Sequence, residues 1–130
     1  MRDVHVASDG TKFGQDVTIG GHRLRADEET SQGGADTGAG PHEILLAALG
    51  ACTSMTLRLY ADRKGWPVRA VRVSLRGGAA DGRYVITRQI TVEGDLDAGQ
   101  RQRLLEIADR CPVHRTLTGE VTIQTAEVPS

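Results

Sequence analysis

Cys52 and Cys111 are the only two cysteines in this chain of 130 residues. A thiol reacts as its thiolate, so the surroundings of each decide between chemistry and packing. Cys52 lies in the most apolar stretch of the sequence, Ile44 to Met55, eleven residues past Pro41. In a helix beginning at that proline it sits about three turns in, too deep for much help from the helix dipole. It reads as a core cysteine or, if a cation is brought to it from elsewhere, as a reactive thiol. Cys111 is followed at once by Pro112. It either ends an amphipathic helix in the ordinary way or caps a new turn through Val113, His114 and Arg115. In the second case free N–H groups, with Arg110, His114 and Arg115 nearby, favour the thiolate. Two thiols able to meet are the minimal kit for reducing a peroxide and closing a disulfide.

Other polar residues have two readings as well. Cys111-x-x-His114 has metal-ligand spacing, and His42 and Cys52 could complete a set. Zinc prefers four ligands in compact local pairs, and only one such pair exists here. We therefore expect neither a metal nor another cofactor. His42 and Glu43 stand at the mouth of the apolar helix, as capping groups in water or as site residues. Arg23 and Arg25 flank Leu24 on a strand, as exposed charges or as the cation for a buried thiol. The acidic run Asp27-Glu28-Glu29 reads as a solvated loop.

The elements that must position these residues follow from periodicity. Val4-His5-Val6 alternates, and Asp16–Ile19 with His22–Arg25 forms a hairpin across Gly20-Gly21. Residues 27–39 lack periodicity and form a loop. Gly40-Pro41 with Glu43 in the first turn starts a helix that runs to about Lys64-Gly65. Between Ile44 and Leu57 this helix is apolar nearly all round, so burial on most sides is expected. Gly50 inside it is costly unless something packs close there. Val71, Val73 and Leu75 alternate with polar residues in a strand, Gly77–Gly82 is a loop, and Tyr84–Glu93 is a second strand with Ile86, Ile90 and Val92 on one face. Asp95 or Asp97 caps a second, amphipathic helix, with Gln100 at capping-box spacing from Asp97. Its apolar stripe is Leu104, Leu105, Ile107, Ala108 and Cys111, and Glu120–Thr125 reads as a last strand. Strands, long helix, two strands, helix and strand make an α+β class with mainly antiparallel sheets, in one domain spanning residues 1–130.

Composition excludes several partners. The net charge is −1, with Lys and Arg scattered in ones and twos, which argues against nucleic acid. No secretory signal is read at the N-terminus, and the apolar run Ile44–Cys52 falls short of the roughly 20 residues that span a bilayer. We expect a cytoplasmic protein without a membrane partner, in which two cysteines are more often free, catalytic or metal-bound than a structural staple. One Phe, one Trp and two Tyr leave the core to Leu, Ile, Val and Ala, which makes burial against a second subunit attractive.

At these residues the chain resembles the OsmC/Ohr family of cysteine-dependent organic hydroperoxide reductases. The matching segments are Asp27-Glu-Glu and Gly33-Gly-Ala-Asp36 leading to Gly40-Pro-His-Glu43, the helix Leu45 to Trp66 around Ala51-Cys52, and Leu105 to Leu117 with Cys111-Pro-Val-His-Arg-Thr-Leu117. The resemblance implies an intertwined α+β homodimer with a long buried central helix and sites at the subunit interface. It implies that Cys52 is the peroxidatic cysteine and Cys111 the resolving one, acting on an organic hydroperoxide with an external thiol or dithiol as reductant. The apolar neighbours Leu45, Leu49 and Met55 suit an alkyl substrate, which gains by burial. Two positions depart from the family's peroxidase branches. His42 stands where those branches place a Glu after the proline, with Glu43 one residue later. The loop Thr30–Gly40 also holds no Arg, where they carry a thiolate-activating one. Arg23, Arg25 or an arginine of a second subunit are the substitutes this resemblance leaves.

Overall fold

Alternation at the N-terminus becomes three short antiparallel strands, β1 (Val4–Ser8), β2 (Gln15–Ile19) and β3 (His22–Ala26), in the order β1-β2-β3. Val4 pairs with Ile19 and Ile19 with His22, so Gly20-Gly21 is the two-residue hairpin loop expected. This is a computed structural model, which describes residues 1–130. The chain falls into two units, Met1–Ala47 and Ala48–Ser130.

In the first unit, residues 27–39 form a loop with one 3-10 turn at Thr30–Gln32. The loop is pinned to β3 by a bridge between Ala26 and Ala39. The acidic run that opens it is not wholly solvated. Asp27 is 3 % exposed. Its carboxylate accepts the Glu28 N–H at 2.7 Å and both the N–H and the hydroxyl of Thr37 at 3.1 and 2.6 Å. A carboxylate can be buried when its lone pairs are met in this way.

Helix α1 (Pro41–Lys64) starts and stops where proline and Gly65 place its ends. Its burial differs from the expectation. Only Leu49, Gly50, Thr53, Leu57 and Ala61 are buried, a single stripe with i,i+4 spacing. Met55 and Leu59 are 70 % and 52 % exposed. An all-round apolar surface requires cover on every side, and one chain covers only the side facing its own strands. The length and composition of α1 would also suit a membrane span, but Leu57 and Ala61 belong to the core of the second unit.

That core forms on a long antiparallel ribbon, β4 (Val68–Ala80) and β5 (Arg83–Gly94), packed with helix α2 (Ala98–Ala108). Leu57, Ala61, Val68, Leu104, Ile107 and Ala108 are buried together, flanked by Val71, Ile90 and Val92. Gly50 has its reason: a Cβ there would lie 2.8 Å from Leu75 Cδ1. The loop expected at Gly77–Gly82 shrinks to two residues, because the strands stay paired as far as Ala80 and Arg83. Asp81 and Gly82, at φ 52° and 74°, make the left-handed turn that matches strand twist. Asp97 caps α2 as a capping box, its side chain accepting the Gln100 N–H at 2.7 Å and its own N–H reaching Gln100 Oε1 at 2.9 Å. A third helix, α3 (Pro112–Thr118), follows. The strand expected at Glu120–Thr125 is absent: the segment is exposed and pairs with no strand. Alternation supplies two faces, but a strand exists only against another strand's hydrogen-bonding edge.

Candidate functional site

The site is built in the second unit, from three chain segments. The first is α1, which carries Cys52, half-buried, one residue before Thr53. Thr53 belongs to the buried stripe and is 0 % exposed. Its hydroxyl donates back to the Leu49 carbonyl at 2.7 Å, the usual way a threonine satisfies itself inside a helix.

The second segment is the corner between α2 and α3. After Ala108 the chain tightens, with Asp109, Arg110 and Cys111 N–H groups reaching Glu106, Ile107 and Ala108 carbonyls. Cys111 then leaves the helical region, at φ −62° and ψ 137°, and becomes the N-cap of α3 with Pro112 in the first turn. Its Sγ accepts the His114 N–H at 3.2 Å. So of the two roles open to Cys111, the structure selects the cap. The spacing Cys111-x-x-His114 serves that cap through the His114 backbone rather than through its ring. No three His, Cys, Asp or Glu side chains gather as a metal-binding group.

The third segment is β5, and it supplies a residue that the sequence reading missed. Arg88 points to the same side as Ile86 and Ile90, and its side chain is only 12 % exposed. Its Nη1 donates to Thr53 Oγ1 at 3.0 Å, and its Nη2 to Asp109 Oδ1 at 3.0 Å and to His114 Nδ1 at 3.2 Å. Arginine can only donate, so in this contact Nδ1 is the acceptor. Thr53 Oγ1 in turn lies 4.0 Å from Cys111 Sγ. The residue next to Cys52 in the chain is thus in contact with Cys111, and one guanidinium ties both segments together. The signal for Arg88 was a break in pattern: a charge at the centre of the apolar face formed by Ile86, Ile90 and Val92.

Beside this cluster opens a cleft of about 350 Å³ lined by Leu49, Tyr84, Ile86, Arg88, His114, Leu117 and Thr118. Its walls are mostly apolar, with the Arg88 guanidinium and the His114 imidazole among its polar groups.

The remaining predicted residues belong to the first unit. Glu43 Oε1 accepts the Gly40 N–H at 2.7 Å and so caps the start of α1. His42 is exposed in the same turn. Arg25 is committed to Asp9 at 2.6 Å and Asp16 at 2.8 Å, and donates to Thr37 Oγ1 at 3.1 Å. The bond to Asp9 raises its pKa above the ordinary guanidinium value. Asp9 is held well below the usual carboxylate range by the Thr11 hydroxyl first and by Arg25 second. Arg23 is exposed on β3. Within this unit, then, Arg25 is an ion-pair residue and Glu43 a capping residue.

Comparison with known proteins adds to this geometry. The family model described as OsmC-like protein matches residues 33–126. Among solved structures, an OsmC-like protein from Mycoplasma pneumoniae superposes with a TM-score of 0.79 at 20 % identity, over 92 % of this chain and 88 % of that one. An organic hydroperoxide resistance protein OsmC from Legionella pneumophila gives 0.70 at 16 % identity, over 92 % and 90 %. An organic hydroperoxide resistance protein from Elizabethkingia anophelis gives 0.68 at 20 % identity, over 92 % and 90 %. No curated protein sequence matches the chain.

Proposed function

Because this chain belongs to the OsmC-like protein family, we propose that it is a cysteine-based reductase of organic hydroperoxides. The observation that carries the reading is the contact between Thr53 and Cys111: it sets the Cys52 segment of α1 against the only other thiol in the chain. Cys52 as thiolate attacks the distal oxygen of the hydroperoxide. The O–O bond breaks, an alcohol leaves after taking up a proton, and Cys52 becomes a sulfenic acid. Cys111 then attacks the Cys52 sulfur, the S–O bond breaks, and water leaves as the disulfide closes. Two equivalents of an external thiol, or one dithiol, return both cysteines to the reduced state.

Relatives named for organic hydroperoxide resistance support this substrate class, and so does a mostly apolar cleft that shares Arg88 and His114 with the Cys111 cluster, where an alkyl group gains by burial. The exposed Met55 and Leu59 of α1 support the further proposal of a homodimer. A dithiol cycle needs reduced thiols, which supports a cytoplasmic setting.

The test is a thiol count on reduced protein treated with cumene or tert-butyl hydroperoxide. Wild type should lose both thiols rapidly, and Cys111→Ser should trap a sulfenate on Cys52. Thiol loss no faster than that of free cysteine would sink the reading and leave the second one, a binding module for a small apolar ligand held in the same cleft. Thiol loss without repeated turnover in dithiothreitol would instead identify a redox sensor.

A further inference from the structure

Arg88 has no packing reason to stand on the inward face of β5. An arginine there costs desolvation that isoleucine would avoid, and that cost is met only through its three polar partners. Each of those partners leads to the Cys111 sulfur. Thr53 Oγ1 lies 4.0 Å from Sγ, His114 donates its N–H to Sγ at 3.2 Å, and Asp109 belongs to the corner that delivers Cys111 to its cap position.

We propose that Arg88 is the positioning residue of Cys111, setting how readily the dithiol is oxidised and reduced by stabilising the form in which the Cys111 sulfur carries negative charge. The inference rests on the dithiol cycle proposed above. In that cycle Cys111 is charged twice: as the nucleophile that attacks the Cys52 sulfenic acid, and as the leaving group when an external thiolate attacks the disulfide at Cys52. The second step breaks the S–S bond and releases Cys111 as thiolate. A further reductant thiol then displaces Cys52 from the mixed disulfide, so two thiols supply the two electrons and become a disulfide.

The hydrogen bonds are arranged for a charge that comes and goes. The Thr53 hydroxyl has one hydrogen. It rests on the Leu49 carbonyl at 2.7 Å while sulfur, the weaker acceptor when neutral, waits at 4.0 Å. Negative sulfur draws that hydrogen across. Arg88 Nη1 keeps its own bond to Thr53 Oγ1 throughout and polarises the hydroxyl as a donor. Arg88 Nη2 meanwhile holds the His114 ring, the residue whose N–H points at Sγ. Asp109 offsets part of the positive charge, but its side chain is 68 % exposed and water weakens its share.

The experiment equilibrates the full chain in a series of reduced and oxidised dithiothreitol ratios and counts protein thiols, for wild type, Arg88→Gln, Arg88→Lys and Asp109→Asn. Arg88→Gln should move the equilibrium towards the disulfide by about tenfold, roughly 30 mV for a two-electron couple. Arg88→Lys should recover most of that shift, and Asp109→Asn should move it a few-fold the other way. A purely structural role would lower stability and leave the midpoint where it was. An Arg88→Gln midpoint within twofold of wild type overturns the inference. If Arg88→Gln does not fold, Asp109→Asn decides, and an unmoved midpoint there has the same consequence. A wild-type chain that forms no internal disulfide in any mixture, nor with hydroperoxide, refutes the dithiol cycle itself.

Discussion

Thr53→Val keeps the shape of a buried side chain and removes one oxygen, which makes it a sharp probe of the cluster. The wild-type hydroxyl is 0 % exposed and accepts from a charged guanidinium at 3.0 Å. A hydrogen bond to a charged group contributes about 1.5–3 kcal/mol, while its back-bond to Leu49 adds little because that carbonyl keeps its helical partner. A methyl in its place returns about 1 kcal/mol of burial, so the net loss is about 0.5–2 kcal/mol. Thr53→Ser is the control. It keeps the hydroxyl and deletes a methyl, costing up to about 1 kcal/mol. For a chain of this size each kcal/mol moves the melting temperature by roughly 3–5 °C, so the Val variant should melt roughly 5 °C below wild type and below the Ser variant. The assay is thermal and urea unfolding followed by circular dichroism, at fixed protein concentration and with the thiols kept reduced. A Val variant as stable as wild type would show that the guanidinium gains nothing from Thr53, and the account of the cluster would fail with it.

Two further outcomes test the rest of the molecule. Leu104, 0 % exposed at the centre of the second unit's core, should cost about 2–5 kcal/mol when replaced by Ala; a urea midpoint within 0.5 kcal/mol of wild type would mean that this core is misassigned. Asp27 has a pKa lowered by the Thr37 hydroxyl first, then by the Glu28 and Thr37 N–H groups. Its stabilising effect is therefore complete above the unfolded value of about 4 and is lost as pH falls through the lower folded value. Asp27→Asn should be less stable than wild type at neutral pH, with the gap narrowing in acid, and a gap of constant size from pH 7 to pH 3 would refute the assignment.

Much of the site was legible because local chemistry wrote it twice. Cys111-Pro112 offered a cap and a proline in the order a helix start requires, and Asp97 with Gln100 did the same for α2. Gly50 inside an apolar helix announced a close neighbour, which proved to be Leu75. What escaped was set by pairing rather than by local pattern. Gly77 to Ala80 reads as loop by composition, yet these residues are held in β4 by partners on β5, and Asp81-Gly82 alone is the turn signal. Glu120–Thr125 has the alternation of a strand and no edge to join. Arg88 escaped because a charge inside a strand is read as solvent-facing by default. Only the parity of Ile86, Ile90 and Val92 places it inward.

The sulfur that caps α3 is also an atom that the proposed chemistry oxidises and reduces. A helix of seven residues holds its first turn by few bonds, and the His114 N–H to Sγ is one of them. If the proposed disulfide forms, its sulfur is a poorer acceptor than the thiol, and the bond from the His114 N–H should weaken with it. His114, Leu117 and Thr118 ride on that turn and wall the cleft. On that proposal the oxidation state of a single atom would set the firmness of one wall of the cleft, and faster amide exchange at His114 in the oxidised chain would reveal it.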